Sequence, residues 1–199
     1  RAVCANLDAI FVAADVDVDT DVLVSWLPLY HDMGLIGMLL VPMTTGCGLV
    51  LGAPQDFLGS PIRWMEWISD HKGTATAGPN FSWVLATRAL RRSQRTLDLS
   101  HLRVALNGAE PVDADTVEAF CEAGARHSFR PGGEFPAFGM AEVSIAGCFP
   151  PPMRGLVTDP VDRRVLEAEG YAAPAEPGAE GTRLFAKLGR PVPGLEIRI

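Results

Sequence analysis

The chain has 199 residues and a formal net charge of −7, with 24 acidic against 17 basic side chains. That length suggests one or two domains, and the acidic balance argues against a surface built for nucleic acid. Hydrophobic residues make up 48% and charged residues 21%, a mixture that allows a well-filled core.

In chain order, Arg1–Phe11 reads as the body of a helix, with Val3, Leu7, Ile10 and Phe11 near 3.6-residue spacing and no capping residue ahead of it. Asp21–Leu27 reads as a strand, followed by a helix near Gly34–Thr44 and a strand over Gly48–Gly52. Met33–Met43 is very apolar, but Pro42 and Gly46 end it at about half the ~20 residues of a membrane helix, so no span is predicted. Nor is a signal peptide visible. Ser60-Pro61 signals a helix start, with Ile62, Trp64, Met65, Trp67 and Ile68 on the apolar face and Gly73 as the stop.

Thr74–Ala77 is a short predicted strand. Asn80 is expected to cap a helix through about Arg92 that turns Phe81, Val84, Leu85 and Ala89 inward. Arg88, Arg91, Arg92 and Arg95 gather near its end, as befits a solvated helix terminus. Leu102–Leu106 reads as a strand, and Asp115 with Glu118 three residues on as a capping-box start for a helix through Ala123. Alternating strands and helices predict an α/β fold, a mixed or parallel sheet with flanking helices.

The texture changes after Cys148. Three prolines follow one another in Phe149–Arg154, and Thr158–Thr182 is rich in Pro, Gly, Glu and Ala, with a weak helical stretch near Asp162–Glu169. Residues 149–182 therefore read as a long excursion from a core over 1–148, with 183–199 returning to strand pattern. On composition alone the excursion could equally be a variable surface loop. Leu195–Ile199 alternates like a strand. Both ends look cut, so an internal piece of a longer protein is expected. Cys4, Cys47, Cys121 and Cys148 are scattered without a CxxC pair, which predicts reduced thiols and a cytoplasmic setting. The four histidines are dispersed and indicate no zinc site.

Three runs combine a strand end with polar residues and glycine: Ser25–Leu35, Asn107–Pro111 and Pro136–Glu142. Ligands of open α/β sheets bind outside the carboxyl ends of the strands, so these runs are the candidate site. In the last, Phe138 offers a face for a base, Gly139 a backbone that phosphate can approach, and Glu142 an anion for Mg²⁺.

HDMGLIG at His31–Gly37, GPNF at Gly78–Phe81, NGAEPV at Asn107–Val112, FGMAE at Phe138–Glu142 and GRPVPG at Gly189–Gly194 occur in the order of the acyl-adenylate-forming superfamily. The chain resembles it from end to end, and most resembles the fatty acyl-AMP ligases of mycobacteria and related actinobacteria. The excursion after FGMAE is the main reason for that branch, where such an insertion goes with poor use of coenzyme A. The resemblance implies part of a large N-terminal domain, with the phosphate loop before Arg1, and the ribose-binding aspartate and a small C-terminal domain after Ile199. Alone, the 199 residues are then expected to be inactive.

It further implies ATP-dependent activation of a fatty acid to acyl-AMP, for transfer to an acyl carrier protein of a polyketide or nonribosomal peptide synthase. His31 matches the histidine near the reacting carboxylate. Asn107, Gly108, Ala109, Glu110 and Pro111, with Phe138, Gly139, Met140 and Ala141, match the nucleotide-binding segments. Phe138 stands where relatives usually have tyrosine, and Ala141 where many have threonine. Glu142 matches the magnesium ligand. Gly78, Pro79, Asn80 and Phe81 match one wall of the acyl tunnel, with Met33 and Gly34 opposite, although Phe81 suits a core equally well. Asp32 is expected to hold structure by hydrogen bonding. Two other functions stay open: a fatty acyl-CoA ligase, and a non-catalytic binding protein of the same fold.

Overall fold

Period-two alternation in four short strands decides what each face of the main sheet touches. The computed structural model describes residues 1–198. Its elements are α1 (Ala2–Ala13), β1 (Val22–Ser25), a π-helix (Met33–Leu40), α2 (Val41–Thr45), β2 (Gly48–Leu51), α3 (Pro54–Gly59), α4 (Ile62–Asp70), β3 (Ala75–Gly78), α5 (Asn80–Arg92), β4 (Val104–Asn107), α6 (Ala114–Ala125), β5 (Glu134–Pro136), β6 (Phe138–Gly139), β7 (Ala146–Phe149), β8 (Thr158–Asp162), α7 (Arg163–Glu169), β9 (Thr182–Ala186) and β10 (Arg190–Pro191). Five strands pair in parallel in the order β2-β1-β3-β4-β5. The predicted α/β class, a parallel sheet flanked by helices, is what the chain adopts.

Register puts Leu23, Ala75 and Val104 in one row and Ala77, Leu106 and Phe135 in another two residues on. Successive side chains of a strand point to opposite faces. These two rows therefore share a face, and Val24, Thr76, Ala105 and Glu134 take the other. There α4, α5 and α6 pack side by side around a run of rings, Trp26, Phe57, Trp64, Trp83, Phe120 and Phe129, whose successive centroids lie 3.9–5.6 Å apart. The Trp64 indole N–H donates to Thr76 Oγ1 at 2.8 Å, and that hydroxyl donates to Val24 O at 2.6 Å, so this buried polar crossing is satisfied.

Several expectations shift by a residue or two. In α5 the buried stripe is Ser82, Trp83, Ala86, Thr87 and Leu90, while Phe81 is exposed. The inward face is one residue out of phase with the predicted one because Trp83 is the anchor that reaches Trp64 and Phe120. Asn80 opens α5 without capping it, the preceding residue being Pro79. The cap of α6 is Asp113, which accepts from Thr116 N at 3.1 Å, and not Asp115. Ser60 makes no side-chain cap for α4, and a further short helix, α3, precedes it with Pro54 in its first turn. In α1 the buried side is Asn6, Leu7, Ala9 and Ile10, leaving Val3 and Phe11 largely exposed.

A smaller sheet, β10-β7-β6, runs antiparallel beyond β5. Asn6 fixes α1 to it through two bonds with Ala146, from Nδ2 at 2.9 Å and to Oδ1 at 3.0 Å. Within the excursion, the helical stretch expected near Asp162–Glu169 forms as α7, capped by Asp162. The segment is more ordered than its composition implies: β8 and β9 form a five-pair antiparallel ribbon that continues to Ala186. No strand forms over Leu195–Arg198, and Ile199 lies outside the described residues.

Glu134 opens β5 fully buried, with Oε1 lacking a partner, and burial pushes its pKa well above the usual carboxylate value. A raised carboxyl pKa means a stabilising contribution that is complete below the unfolded-state value and lost as pH rises through the folded-state value. Stability is expected to fall by at most about 1.4 kcal/mol per pH unit from this group as pH rises from the unfolded-state carboxyl value toward the raised folded-state one. Glu134→Gln should flatten that slope in urea titrations run across pH. An unchanged slope would show that Glu134 is not what titrates.

Candidate active site

The polar runs picked out in the sequence follow β1, β4 and β5, and side chains tie the ends of β3, β4 and β5 together. Asn80 Oδ1 accepts from Asn107 Nδ2 at 3.1 Å and from Asp113 N at 3.2 Å. Glu110 accepts from Phe81 N at 2.7 Å, joining the loop after β4 to the first turn of α5. Ala137 N donates to Asn107 O at 2.9 Å. Asn107 is 1% exposed and its Oδ1 has no partner, an acceptor held ready beside the turn. Ala109 has φ +67°, a left-handed conformation that alanine adopts only at a cost.

The Pro136–Glu142 run leaves the parallel sheet and enters the second one. Phe138 is 39% exposed, its ring lying close against Gly147 of β7. Gly139 sits so close to β7 that a Cβ would lie 2.2 Å from Ile145 O. Met140 N donates to Ile145 O at 2.9 Å, and a 3₁₀ turn over Ala141–Val143 then presents Glu142 to solvent.

On the opposite rim, Asp32 caps the π-helix by accepting from Met33 N at 2.8 Å, the structural role expected of it. His31 Nδ1 lies 2.8 Å from the same carboxylate oxygen. Nδ1 also accepts from Met33 N at 3.2 Å, so it faces the turn and Nε2 is left available to substrate. The helix predicted near Gly34–Thr44 begins one residue earlier and is wound in π fashion to Leu40, with Val41 N donating to Ile36 O five residues back. Gly34 permits this start, because a Cβ there would fall 2.3 Å from Pro28 O. Wide turns of this kind recur at functional sites.

Between the π-helix and the sheet lies a cavity of about 280 Å³. His31, Met33, Gly108, Ala109, Phe138, Gly139 and Met140 stand at its walls. Asn107, Glu110, Pro111, Ala141 and Glu142 border the same loops without lining it. Neither Gly34 nor the Gly78–Phe81 run contributes to the lining, and Phe81 faces solvent. From the loops the cavity runs back along the two rows Ala77, Leu106, Phe135 and Leu23, Ala75, Val104, and ends on Asp21 and Arg103.

Sequence reading missed that ion pair, which joins the starts of β1 and β4. Arg103 Nε donates to Asp21 Oδ1 at 3.0 Å and Nη2 contacts Oδ2; Nη1 and Nη2 also reach Ala14 O and Asp15 O at 2.9 and 2.8 Å. Burial raises the Asp21 pKa, but hydrogen bonds from Arg103, Thr74 and the Asp17 N–H outweigh it and hold the carboxyl below its usual range. Breaking such a pair by removing one partner typically costs about 3–5 kcal/mol. Its only signal in the sequence was a charged residue just before each of two apolar strands.

Comparison with known proteins supports the class that this geometry suggests. The AMP-binding enzyme family matches residues 1–199, and the chain belongs to that family. It is 45% identical over its whole length to Rv1013 of Mycobacterium tuberculosis, covering 37% of that protein. It is 37% identical, over 88% of the chain and 30% of the relative, to the long-chain-fatty-acid–AMP ligase FadD26 of Mycobacterium marinum. A medium-chain-fatty-acid–[acyl-carrier-protein] ligase, TtuA of Teredinibacter turnerae, is 38% identical over 61% of the chain and 19% of its own length. Among solved structures, the fatty acyl-adenylate ligase of L. pneumophila in complex with acyl adenylate and pyrophosphate matches with a TM-score of 0.87 and 30% identity, over 96% of this chain and 33% of that one. The fold is the acyl-adenylate-forming one. The chain spans about a third of the length of Rv1013 and FadD26. No helix among the described residues is long and apolar enough to cross a membrane.

Two glycines on the same walls give a contrast. Gly139→Ala should cost about 1–3 kcal/mol by forcing β6 from β7. Gly37→Ala, whose Cβ would meet only Ile145 Cδ1 at 3.9 Å, should change stability by less than about 1 kcal/mol. Urea midpoints read both, and equal midpoints would contradict the close packing of β6 on Ile145.

Proposed function

We propose that the protein activates a fatty acid with ATP to form acyl-adenylate and pyrophosphate, and passes the acyl group to an acyl carrier protein. One observation carries this reading: a largely aliphatic cavity opens where the polar loops after β1, β4 and β5 converge. An alkyl chain gains roughly 0.8 kcal/mol per buried CH₂ on such a wall. Its carboxylate then lies among the loops, beside His31, where the α-phosphate of ATP would arrive. FadD26, a long-chain-fatty-acid–AMP ligase, TtuA, a medium-chain-fatty-acid–[acyl-carrier-protein] ligase, and the L. pneumophila adenylate complex support the substrate class and the carrier-protein acceptor.

In this reading the chain's own work is positioning and charge neutralisation. Phe138 stacks on the adenine. Asn107 and Glu110, with the backbone of Gly108 and Ala109, border the base. His31, its Nδ1 turned to Asp32 and Met33, offers Nε2 to the carboxylate or the α-phosphate. The carboxylate oxygen attacks the α-phosphorus, and the bond from that phosphorus to the α,β-bridging oxygen breaks, releasing the β- and γ-phosphates as pyrophosphate. Glu142 is a single exposed carboxylate, and among the described residues no group of three His, Cys, Asp or Glu side chains converges on one point. That donor set fits Mg²⁺, which is usually bound by one or two carboxylates together with substrate phosphates. When bound it would neutralise phosphate charge there. The β8–α7–β9 unit is assigned to limiting coenzyme A use, leaving acyl-AMP as the product.

Three expectations follow for the full-length protein. Glu142→Gln should preserve the fold and lower acyl-AMP formation by about 2–4 kcal/mol in transition-state terms; an unchanged rate across a magnesium titration would remove Glu142 from this role. Phe138→Ala should raise the KM for ATP by about 1–3 kcal/mol and Phe138→Tyr should not, and an unchanged KM in the alanine variant would deny the stacking. Product analysis with labelled fatty acid, ATP and coenzyme A should return acyl-AMP. Efficient conversion to acyl-CoA would make the protein an acyl-CoA ligase instead.

A further inference from the structure

We propose that the Asp21–Arg103 pair is a fixed floor for the acyl tunnel and sets the longest chain the protein activates. The inference rests on the acyl-binding reading above. The tunnel follows the sheet from the loops at Gly108 back to the row Leu23, Ala75 and Val104, about four strand steps or roughly 13 Å. Along that path its sheet wall is aliphatic and aromatic. At the far end the chemistry changes abruptly to a carboxylate and a guanidinium, both at the cavity surface.

That end is built to stay closed. Asp21 is 3% exposed and receives bonds from Thr74 Oγ1 at 2.7 Å and Asp17 N at 2.8 Å as well as from Arg103. Arg103 spends its remaining donors on the carbonyls of Ala14 and Asp15, which close the C-terminal end of α1. Three segments, the end of α1 and the starts of β1 and β4, are thus bolted together across the tunnel's end. A methyl terminus can rest against this plug. A longer chain would have to part an ion pair that Thr74, Asp17 and the Ala14 and Asp15 carbonyls hold in place, a cost that one more methylene does not offset. The floor therefore discriminates by length, with a sharp upper limit rather than a gradual decline.

The test uses the full-length protein and a homologous series of saturated fatty acids, read in two ways: acid-dependent ATP–pyrophosphate exchange and direct binding of each acid by calorimetry. Affinity and kcat/KM should rise about fourfold per methylene and then break at one chain length. In Asp21→Asn/Arg103→Ala, which opens the floor while keeping the Thr74 and Asp17 contacts to residue 21, the break should move to longer acids by two or more methylenes. Ala75→Leu leaves the ion pair intact and fills the row above it, so its break should move to shorter acids; this variant decides the matter if the double variant does not fold. Unmoved breaks in folded variants, or a wild-type preference for ω-hydroxy or ω-carboxy acids over saturated acids of equal length, would overturn the floor. Binding that shows the length break without any exchange would keep the floor and remove the adenylation reading.

Discussion

The molecule depends on one constraint, the register of β1, β3, β4 and β5. Parallel strands in register end together, so the loops that follow β3, β4 and β5 are delivered to one edge of the sheet. The same register aligns Leu23 with Ala75 and Val104, and Ala77 with Leu106 and Phe135. One face is thereby given wholly to small or apolar side chains that leave room, and the other to the aromatic layer under α4–α6. A slip of one residue in any strand would turn a tunnel wall toward the helices.

Polar side chains hold what the register aligns. At the loop edge Asn80, Asn107 and Glu110 join the turns after β3 and β4, so the two walls of the mouth keep a fixed spacing. At the other edge Asp21 and Arg103 fasten the strand starts to α1. Ala9 and Ile10 of that helix are buried, and its Asn6 grips β7. The second sheet, the one that carries Phe138, is thus tied to the tunnel floor through a single helix. Rigidity at both edges suits a site whose work is positioning.

Much of this was legible in the sequence. Strand and helix alternation gave the fold class because buried parallel strands read as short apolar runs between amphipathic helices, and the polar runs after Leu106 and Phe135 marked the site edge. What could not be read was phase and partnership. The inward face of α5 is set by Trp83 meeting Trp64 and Phe120, a tertiary preference that no periodicity count contains. Phe81 looked like core or tunnel and is neither a lining residue nor buried. The π winding of Met33–Leu40 depends on the approach of Gly34 to Pro28 O, a contact between the strand's exit and the helix's own start. Asp21 and Arg103 are 82 residues apart, and nothing local links them. The excursion after Cys148 read as loop apart from the helical stretch near Asp162–Glu169, because its Pro, Gly and Glu content suits loops, yet cross-strand pairing between Thr158–Asp162 and Thr182–Ala186 organises it.

The central claim is that acyl chain and nucleotide meet at the loop edge, the chain lying between the π-helix and the sheet. The most direct measurement is a crystal structure of the full-length protein with a non-reactive acyl-adenylate analogue. The account predicts the alkyl chain along Ala77, Leu106, Ala75 and Val104, its terminus against Arg103, with the adenine on Phe138 and the acyl-phosphate linkage beside His31. An alkyl chain running elsewhere, with the space between the π-helix and the sheet left empty, would contradict it.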